Sequence, residues 1–509
     1  MDERTLRDAL IRTAQGFGGK TAISFVRQGR VETQISYKGL EEDSNRVAHT
    51  FLDRGVSKGD RVIFFLDKCL LSVVAHLAAQ KIGAIGVPLN PGFKKAEMAY
   101  LLGDAQARLL ICGPAQTDLV RDLAPRAQIL VADPQRPYEA LEFFRSASPE
   151  RPVAEVGPGD PGLIIYTSGT TGQPKGAILT QENLLHDAEN IIAIWEIAES
   201  DVLCHALPLF HVHGLCFALH TALIAGSHVH LLDAFSADAV TTVLAQGIAG
   251  HTPSVFMAVP SMYAKLMEFL GERRLNFDHV RLWTSGSAPL LPKDFERIRT
   301  LFGKEPVERE GMTETGMNFS NPLRGARKPG SIGIPLPGLQ VRIVDPQTLQ
   351  DVRPGETGEF WLKGPAITPG YWRKPEETAK TFSDGWFRTG DLGRVDEKGY
   401  YYLTDRIKHI IISGGENISP KEVEAVINRY EGVSESCVVG VLDEKWGERV
   451  VAAVVPKSGH EIETEDLQKH CKRHLHNWKC PKGILFVNEL PRNTMGKVLK
   501  EEVKKFFEK

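Results

Sequence analysis

The segment from Ile164 to Thr180, IIYTSGTTGQPKGAILT, constrains this chain more than any other. It opens as a buried strand, Ile164-Ile165-Tyr166. Four hydroxyl side chains and two glycines then fill the six residues Thr167, Ser168, Gly169, Thr170, Thr171 and Gly172, with Lys175 close behind. Glycines let backbone N–H groups come close to an anion, hydroxyls add donors that pivot, and a lysine adds full charge. An apolar strand running into such a loop points to phosphate binding, and ATP is the evident guest. The plain alternative is a polar surface turn between two strands; the strand in front and the lysine behind argue against it. The loop is not a Walker A element, which needs G-x-x-x-x-G-K-S/T, because Pro174 precedes Lys175 and Gly176 follows it.

At 509 residues the chain exceeds one ordinary core, so two or more domains are expected. A hydrophobic content of 42% and a charged content of 25% are those of a soluble globular protein. The formal net charge of -3 gives no basic field for nucleic acid, and no lysine/arginine run suggests a membrane-binding patch. The first residues, MDERTLRDAL, are charged where a signal peptide is apolar, so a cytoplasmic protein is expected. The most lipid-like stretch, Gly214 to Leu232, is broken by His220, Ser227, His228 and His230 and reads as a buried helix and strand, not a transmembrane segment. Seven cysteines without C-x-x-C spacing argue against a disulfide framework or a structural zinc.

Residues 1 to about 150 alternate helical and strand patterns. Tyr37 to Arg54 is amphipathic with Leu40, Val47, Ala48 and Phe51 on one face, Arg61 to Leu66 is β-rich, and Leu71 to Lys81 is helical. That is the βα alternation of a mostly parallel sheet. After the helical Gln181 to Trp195 comes LPLFHVHG, Leu207 to Gly214, with His211 and His213 at i, i+2. Without a third ligand this pair does not make a metal site; a pocket histidine and a satisfied core histidine are the two readings. A second α/β unit follows, and its stretch Val280 to Pro289 runs a strand into a Ser/Gly turn, Ser285 to Ser287. Ligands of such sheets sit at the carboxyl ends of strands, so this turn is either a wall of the same pocket or a plain strand-to-helix turn.

Thr313 and Glu314 form a polar pair after a glycine, and a carboxylate there suits Mg²⁺ beside ATP phosphates. Asp391 lies in the glycine-flanked GWFRTGDLG turn, where it either binds backbone or serves ribose hydroxyls. From Asp405 the texture changes: a polar stretch, a short β run, a glycine turn and a helix introduced by Ser419-Pro420, an N-cap and N1 pair. The remaining residues read as a separate small domain joined near Lys408, with PRNTMGK, Pro491 to Lys497, ending in a lysine on a glycine turn. The expected fold is α/β: a large N-terminal domain of layered βα subdomains plus a β-rich part, residues 1–404, and a small α+β C-terminal domain, residues 405–509.

YTSGTTGQPKGA, PLFHVHG, GMTETG, GYW, TGDLG, DRIKHIIISGGENISP and PRNTMGK stand in the order and spacing of the adenylate-forming acyl-CoA synthetases, a superfamily that also contains firefly luciferase and amino-acid adenylation domains. The resemblance covers essentially the whole chain. It implies that Thr167, Ser168, Gly169, Thr170, Thr171, Gly172 and Lys175 hold the ATP phosphates, that Thr313 contacts the α-phosphate and that Glu314 carries Mg²⁺. It further implies that Asp391 binds the ribose with Arg406 beside it, that Lys408 is the hinge of a mobile C-terminal domain, and that Lys497 is brought to the active site for adenylation. The reaction implied joins a carboxylic acid to coenzyme A through an acyl-adenylate, with ATP, Mg²⁺ and CoA as the small molecules required, in a monomer or homodimer.

Within the superfamily, the stretch Glu308 to Pro322, PGSIGIPLPG and the Arg281 to Leu291 segment resemble malonyl-CoA synthetases. That resemblance implies malonate, or methylmalonate, as the acid. It puts Arg281 against the second carboxylate, with His211 and Ser285 or Ser287 as neighbours. A structural arginine at a strand start is the alternative for Arg281. Two residues depart from the pattern: Glu310 stands where the family has an aromatic residue before Gly311, and His409 stands where an acidic residue follows the hinge lysine. A medium- or long-chain fatty acyl-CoA synthetase and a non-catalytic adenylate-binding paralogue are the competing functions.

Overall fold

The phosphate-loop strand finds its place in a six-stranded sheet. In the computed structural model, which describes residues 5–124, 126–167, 173–413, 416–443, 446–493 and 496–508, the strands run Gln128–Val131, Leu109–Cys112, Arg61–Phe65, Ile85–Pro88, Pro161–Thr167 and Lys175–Thr180 across this sheet. The first five pair in parallel; the last folds back on Pro161–Thr167, with Thr167 opposite Lys175. Parallel strands buried on both faces need continuous apolar runs, which is what Val62 to Phe65 and Leu109 to Cys112 supply. Met98, Leu101 and Leu102 of the Lys95–Ala105 helix cover one face of it, over Ile63, Phe65, Val87 and Leu110.

A nine-stranded sheet carries the second α/β unit. Its order is Ile334–Pro335, Gly316–Ser320, Val307–Met312, Leu282–Ser285, Val255–Ala258, Val202–His205, His228–Leu232, Thr21–Arg27 and Arg30–Ser36. From Thr21–Arg27 to Val307–Met312 the pairs are parallel, so the carboxyl ends of the central strands lie along one edge. Trp283, 1% exposed, is wedged among Phe256, Tyr263, Phe277 and Phe302 at centroid separations of 4.5–6.4 Å. Truncating such a side chain to alanine costs about 3–5 kcal/mol.

The stretch Gly214 to Leu232 is a π-helix, His213–His220, a turn of α-helix, Thr221–Ile224, and the strand His228–Leu232. No helix among the described residues is long and apolar enough to cross a membrane. All seven cysteines are buried and unpaired.

The chain divides into two compact units, Met1–Gln340 with Leu362–Phe387, and Val341–Trp361 with Arg388–Lys509. The expected division at 404/405 falls inside the second unit, because Tyr401–Arg406 pairs antiparallel with Trp386–Val395. A different sheet begins directly afterwards, with Ile411–Ser413, so Lys408 lies in the short 3-10 turn Ile407–His409 between two sheets. In that C-terminal sheet the long strands Val433–Asp443 and Gly447–Pro456 pair antiparallel, and Gly483–Phe486 adds in parallel. Its side chains alternate between two cores: Val438, Val450, Ala452 and Val454 face one, Cys437, Val439, Val451 and Ala453 the other. Proline at N1 starts the Pro420–Ile427 helix as expected, but Ser419 makes no side-chain cap. The buried Asp405 does that work, accepting from Lys421 N at 3.1 Å and Ser419 Oγ at 2.8 Å.

Candidate active site

Both ends of the phosphate loop are anchored. Ser168, Gly169, Thr170, Thr171 and Gly172 lie outside the described residues, whereas Thr167 and Lys175 are held opposite each other by the hairpin. The Thr167 hydroxyl donates to Glu314 Oε1 at 3.1 Å, and the Tyr371 hydroxyl donates to the same oxygen at 3.0 Å. Glu314 is 7% exposed, and its own carbonyl accepts from Thr368 N at 2.7 Å. The structure therefore brings the loop strand and the Thr313-Glu314 turn together. Thr313 itself is half-buried in that turn. Lys175 pairs with Glu377 and lies 5.3 Å above the Tyr371 ring. Hydrogen bonds from the Lys175 and Lys380 ammonium groups hold the Glu377 carboxyl below its ordinary range. The sequence assigns no role to Tyr371 or Glu377, although both lie in the stretch GYWRKPEET, Gly370 to Thr378, that resembles malonyl-CoA synthetases.

Glu310, in the family's aromatic position, accepts from Asn318 Nδ2 at 3.0 Å across the pair of Val307–Met312 and Gly316–Ser320.

A second group of residues collects at the carboxyl ends of the nine-stranded sheet. Ser285 closes the Leu282–Ser285 strand, is 1% exposed, and its Oγ has no partner among the described residues. Ser287 takes φ = 67°, a conformation that costs a non-glycine residue about 1–2 kcal/mol, and its Oγ lies 3.2 Å from His213 Nδ1. The Nε2 atoms of His211 and His213 are buried without partners among the described residues. Burial pushes the His211 pKa down to about 4 and that of His213 well below its ordinary value, so both rings are neutral. The Ser/Gly turn thus carries a buried hydroxyl without a partner among the described residues and a backbone conformation unfavourable to its serine.

Arg281 is not part of this group. It precedes the Leu282–Ser285 strand, about 13 Å of extended chain from Ser285 at the opposite end. Its guanidinium is spent: Nε and Nη2 grip Asp201 at 2.8 and 2.5 Å, Nη1 donates to Trp195 O at 3.0 Å and Nη2 to Glu196 O at 2.8 Å. Arg281 ties a helix end to a strand start, and the expectation that it receives a substrate carboxylate is corrected.

A buried arginine without a hydrogen-bond partner among the described residues is Arg309. It is 3% exposed on Val307–Met312, and none of its three guanidinium nitrogens has a hydrogen-bond partner among the described residues. Its guanidinium stacks over Phe217 at 5.1 Å and lies against Gly286, where a Cβ would stand 2.6 Å from Nε. That approach explains why the Ser/Gly turn carries its glycine. Burial lowers the Arg309 pKa to about 10, opposed by the charges of Glu310 and Asp187. Asp187 is 4% exposed, accepts from Met317 N at 2.8 Å, and is pushed up by burial to about 7. In sequence, Arg309 lay inside the Glu308 to Thr315 motif with nothing to distinguish it from a surface charge.

In the second unit, Arg406 Nε pairs with Asp391 Oδ1 at 2.6 Å, because Asp391 and Arg406 are register partners in neighbouring strands. Asp391 is 5% exposed, so its carboxylate is fixed by one cation and points along a defined direction. The Lys408 side chain lies outside the described residues. Lys497 sits in a tight turn: its N–H donates to Asn493 Oδ1 at 2.9 Å, and its carbonyl accepts from Asn493 N at 2.9 Å.

Residues 10–372 match the AMP-binding enzyme family and residues 422–497 match the AMP-binding enzyme C-terminal domain. A mitochondrial malonate–CoA ligase of Mus musculus is 36% identical over 479 residues, 88% of this chain and 81% of that protein. A long-chain-fatty-acid–CoA ligase of Bacillus subtilis is 32% identical over 538 residues, 99% of this chain and 94% of that one. The ATP-bound structure of MatB from Rhodopseudomonas palustris superposes with a TM-score of 0.92 at 36% identity, covering 99% of each chain. The hairpin-anchored loop, the buried Glu314 and the full-length matches agree: this chain belongs to the AMP-binding enzyme family and is an AMP-forming acyl-CoA ligase.

Proposed function

We propose that the acid activated by this ligase is malonate, with methylmalonate as a second substrate. One observation carries the proposal: Arg309 is a buried guanidinium with no hydrogen-bond partner among the described residues, beside His213, Ser287 and the unpartnered Ser285 Oγ. An unpaired buried charge costs several kcal/mol, and a ligand carboxylate entering bidentate offsets that cost. A long apolar tail leaves the charge unpaired. Malonate presents one carboxylate to Arg309 while the other attacks ATP.

Adenylation brings a carboxylate onto the α-phosphorus, so anions converge and must be held by positive groups and N–H donors. In this reading the loop from Thr167 to Gly172 and Lys175 hold the phosphates, Thr313 contacts the α-phosphate, and Asp391, steadied by Arg406, takes the ribose hydroxyls. Lys497 balances the charge that grows as pyrophosphate leaves. The Glu314 carboxylate, held by two neutral hydroxyls and by no cation among the described residues, fits a hard divalent ion. Mg²⁺ bound there supplies Lewis-acid polarisation of the phosphates. Coenzyme A is the cosubstrate whose thiol displaces AMP from the adenylate. A small domain beginning near residue 405 and turning at Lys408 alternates the two steps. The rings of His211 and His213 are neutral and add no cation to the acid pocket. We place the enzyme in the cytoplasm.

The test is thioester formation with ATP, Mg²⁺ and CoA against malonate, methylmalonate, acetate, butyrate and octanoate. Malonate is expected to have the highest kcat/KM; a clear preference for octanoate sinks the proposal in favour of the fatty acyl reading.

A further inference from the structure

His205 ends the Val202–His205 strand and is 1% exposed. Lys68, in the loop after the Arg61–Phe65 strand of the other sheet, puts its Nζ 2.9 Å from His205 Nδ1 and 3.0 Å from the His205 carbonyl. On the far side of the ring, Nε2 lies 2.8 Å from the carbonyl of Gly214. Donor chemistry fixes the tautomer. A carbonyl only accepts, so Nε2 carries the proton; Nδ1 then accepts from Lys68. Burial, with the nearby Lys68 charge, lowers the His205 pKa to about 3, which keeps the ring neutral. Lys68 is itself lowered by burial to about 7, and both of its protonation states offer an N–H to Nδ1.

Gly214 lies in the first turn of the π-helix His213–His220. The His205 donor therefore reaches a carbonyl in the first turn of this helix, and π turns gather at functional sites. No side chain fits at Gly214, where a Cβ would stand 2.0 Å from the Pro208 carbonyl. This helix presents His213 to Ser287 and Phe217 to Arg309.

We infer that Lys68 is a positioning residue for the acid pocket: by donating to Nδ1 it holds the His205 ring where Nε2–H meets the Gly214 carbonyl, and hence holds the π-helix that carries His213 and Phe217. The inference rests on the reading of that pocket as the acid site but not on malonate being the acid. It is tested on the full-length enzyme by ¹⁵N-histidine NMR and by separate KM values for acid and ATP. The wild type is expected to show His205 as the Nε2–H tautomer. Lys68→Met is expected to shift the His205 Nδ1 resonance, since that nitrogen loses its donor, and to raise the acid KM about tenfold or more, with the ATP KM within about twofold, as an ångström-scale displacement of substrate contacts does. His205→Gln, which keeps an N–H donor where Nε2 lies, is expected to stay near wild type, and His205→Asn to behave like Lys68→Met. An Nδ1–H tautomer in the wild-type enzyme overturns the inference without any variant, as does an unchanged acid KM in a folded Lys68→Met protein. A wild type that prefers octanoate overturns the malonate reading alone, because the relay is read on the KM of whichever acid is used.

Discussion

Replacing Arg309 by methionine separates the arginine that binds from the arginine that builds. The guanidinium is buried and bare of hydrogen-bond partners among the described residues, so its replacement by an apolar chain of similar length removes a desolvated charge and leaves little cavity. The folded protein is expected to melt no lower than the wild type. Substrate choice changes instead. Truncating one partner of a desolvated charge pair costs about 2–5 kcal/mol, or roughly 30-fold to several thousandfold in kcat/KM for malonate. Butyrate, which presents an ethyl group where malonate presents its second carboxylate, is expected to react as well or better. Arg281→Ala gives the opposite pattern: it breaks the Asp201 pair and two carbonyl contacts of a side chain that is about a third exposed. That costs about 1–3 kcal/mol of stability and leaves the malonate to butyrate ratio unchanged. The assay is CoA thioester formation with both acids, alongside thermal melts of both variants. A malonate preference that survives Arg309→Met and disappears in Arg281→Ala refutes the reasoning.

Three further outcomes are expected. Gly286→Ala places a methyl 2.6 Å from Arg309 Nε and should raise the malonate KM more than about tenfold while ATP binding, read by nucleotide titration, stays intact. Lys497→Ala should slow malonate-dependent adenylation by about 10²–10³-fold, yet thioester formation from supplied malonyl-adenylate and CoA should persist, since in the proposed function the lysine serves only the first step. Asp187 is a carboxyl whose folded pKa, about 7, stands above its ordinary 3.8, so the folded state binds the extra proton between those values. Its contribution to stability is therefore present below about pH 4 and lost as pH rises through 7, up to about 4 kcal/mol. Asp187→Asn, which keeps an acceptor for Met317 N, should raise the melting temperature relative to wild type at pH 8, with the gain shrinking toward pH 4; an equal gain at both pH values counts against the buried-charge account.

Much of the framework was legible in the sequence because local chemistry marks it. The helix Gln181–Trp195 falls on the expected residues and is introduced by Thr180, whose side chain accepts from the third helical N–H. The strand-to-loop turn at Thr167 was equally plain, since glycine and hydroxyl clusters have few structural uses. What stayed hidden depends on contacts between distant residues. The Tyr371 and Thr167 hydroxyls converge on Glu314 from far apart in the chain, and Glu377 reaches Lys175 across 202 positions. Arg281 misled because a strand-edge arginine and a pocket arginine look alike until their partners are known. Arg309 went unnoticed for the same reason. The π register of His213–His220 has no period that a pattern of apolar residues discloses, and the donor that reaches its first turn, His205 on the Gly214 carbonyl, lies outside the helix.

The most direct test of the account follows oxygen. With malonate labelled with ¹⁸O in its carboxylates, ATP, Mg²⁺, CoA and the wild-type enzyme, attack on the α-phosphorus transfers one carboxylate oxygen to AMP as malonyl-CoA forms. Mass spectrometry is expected to find one ¹⁸O per AMP and AMP equal in amount to malonyl-CoA. Unlabelled AMP, or AMP formation that needs octanoate and ignores malonate, contradicts it.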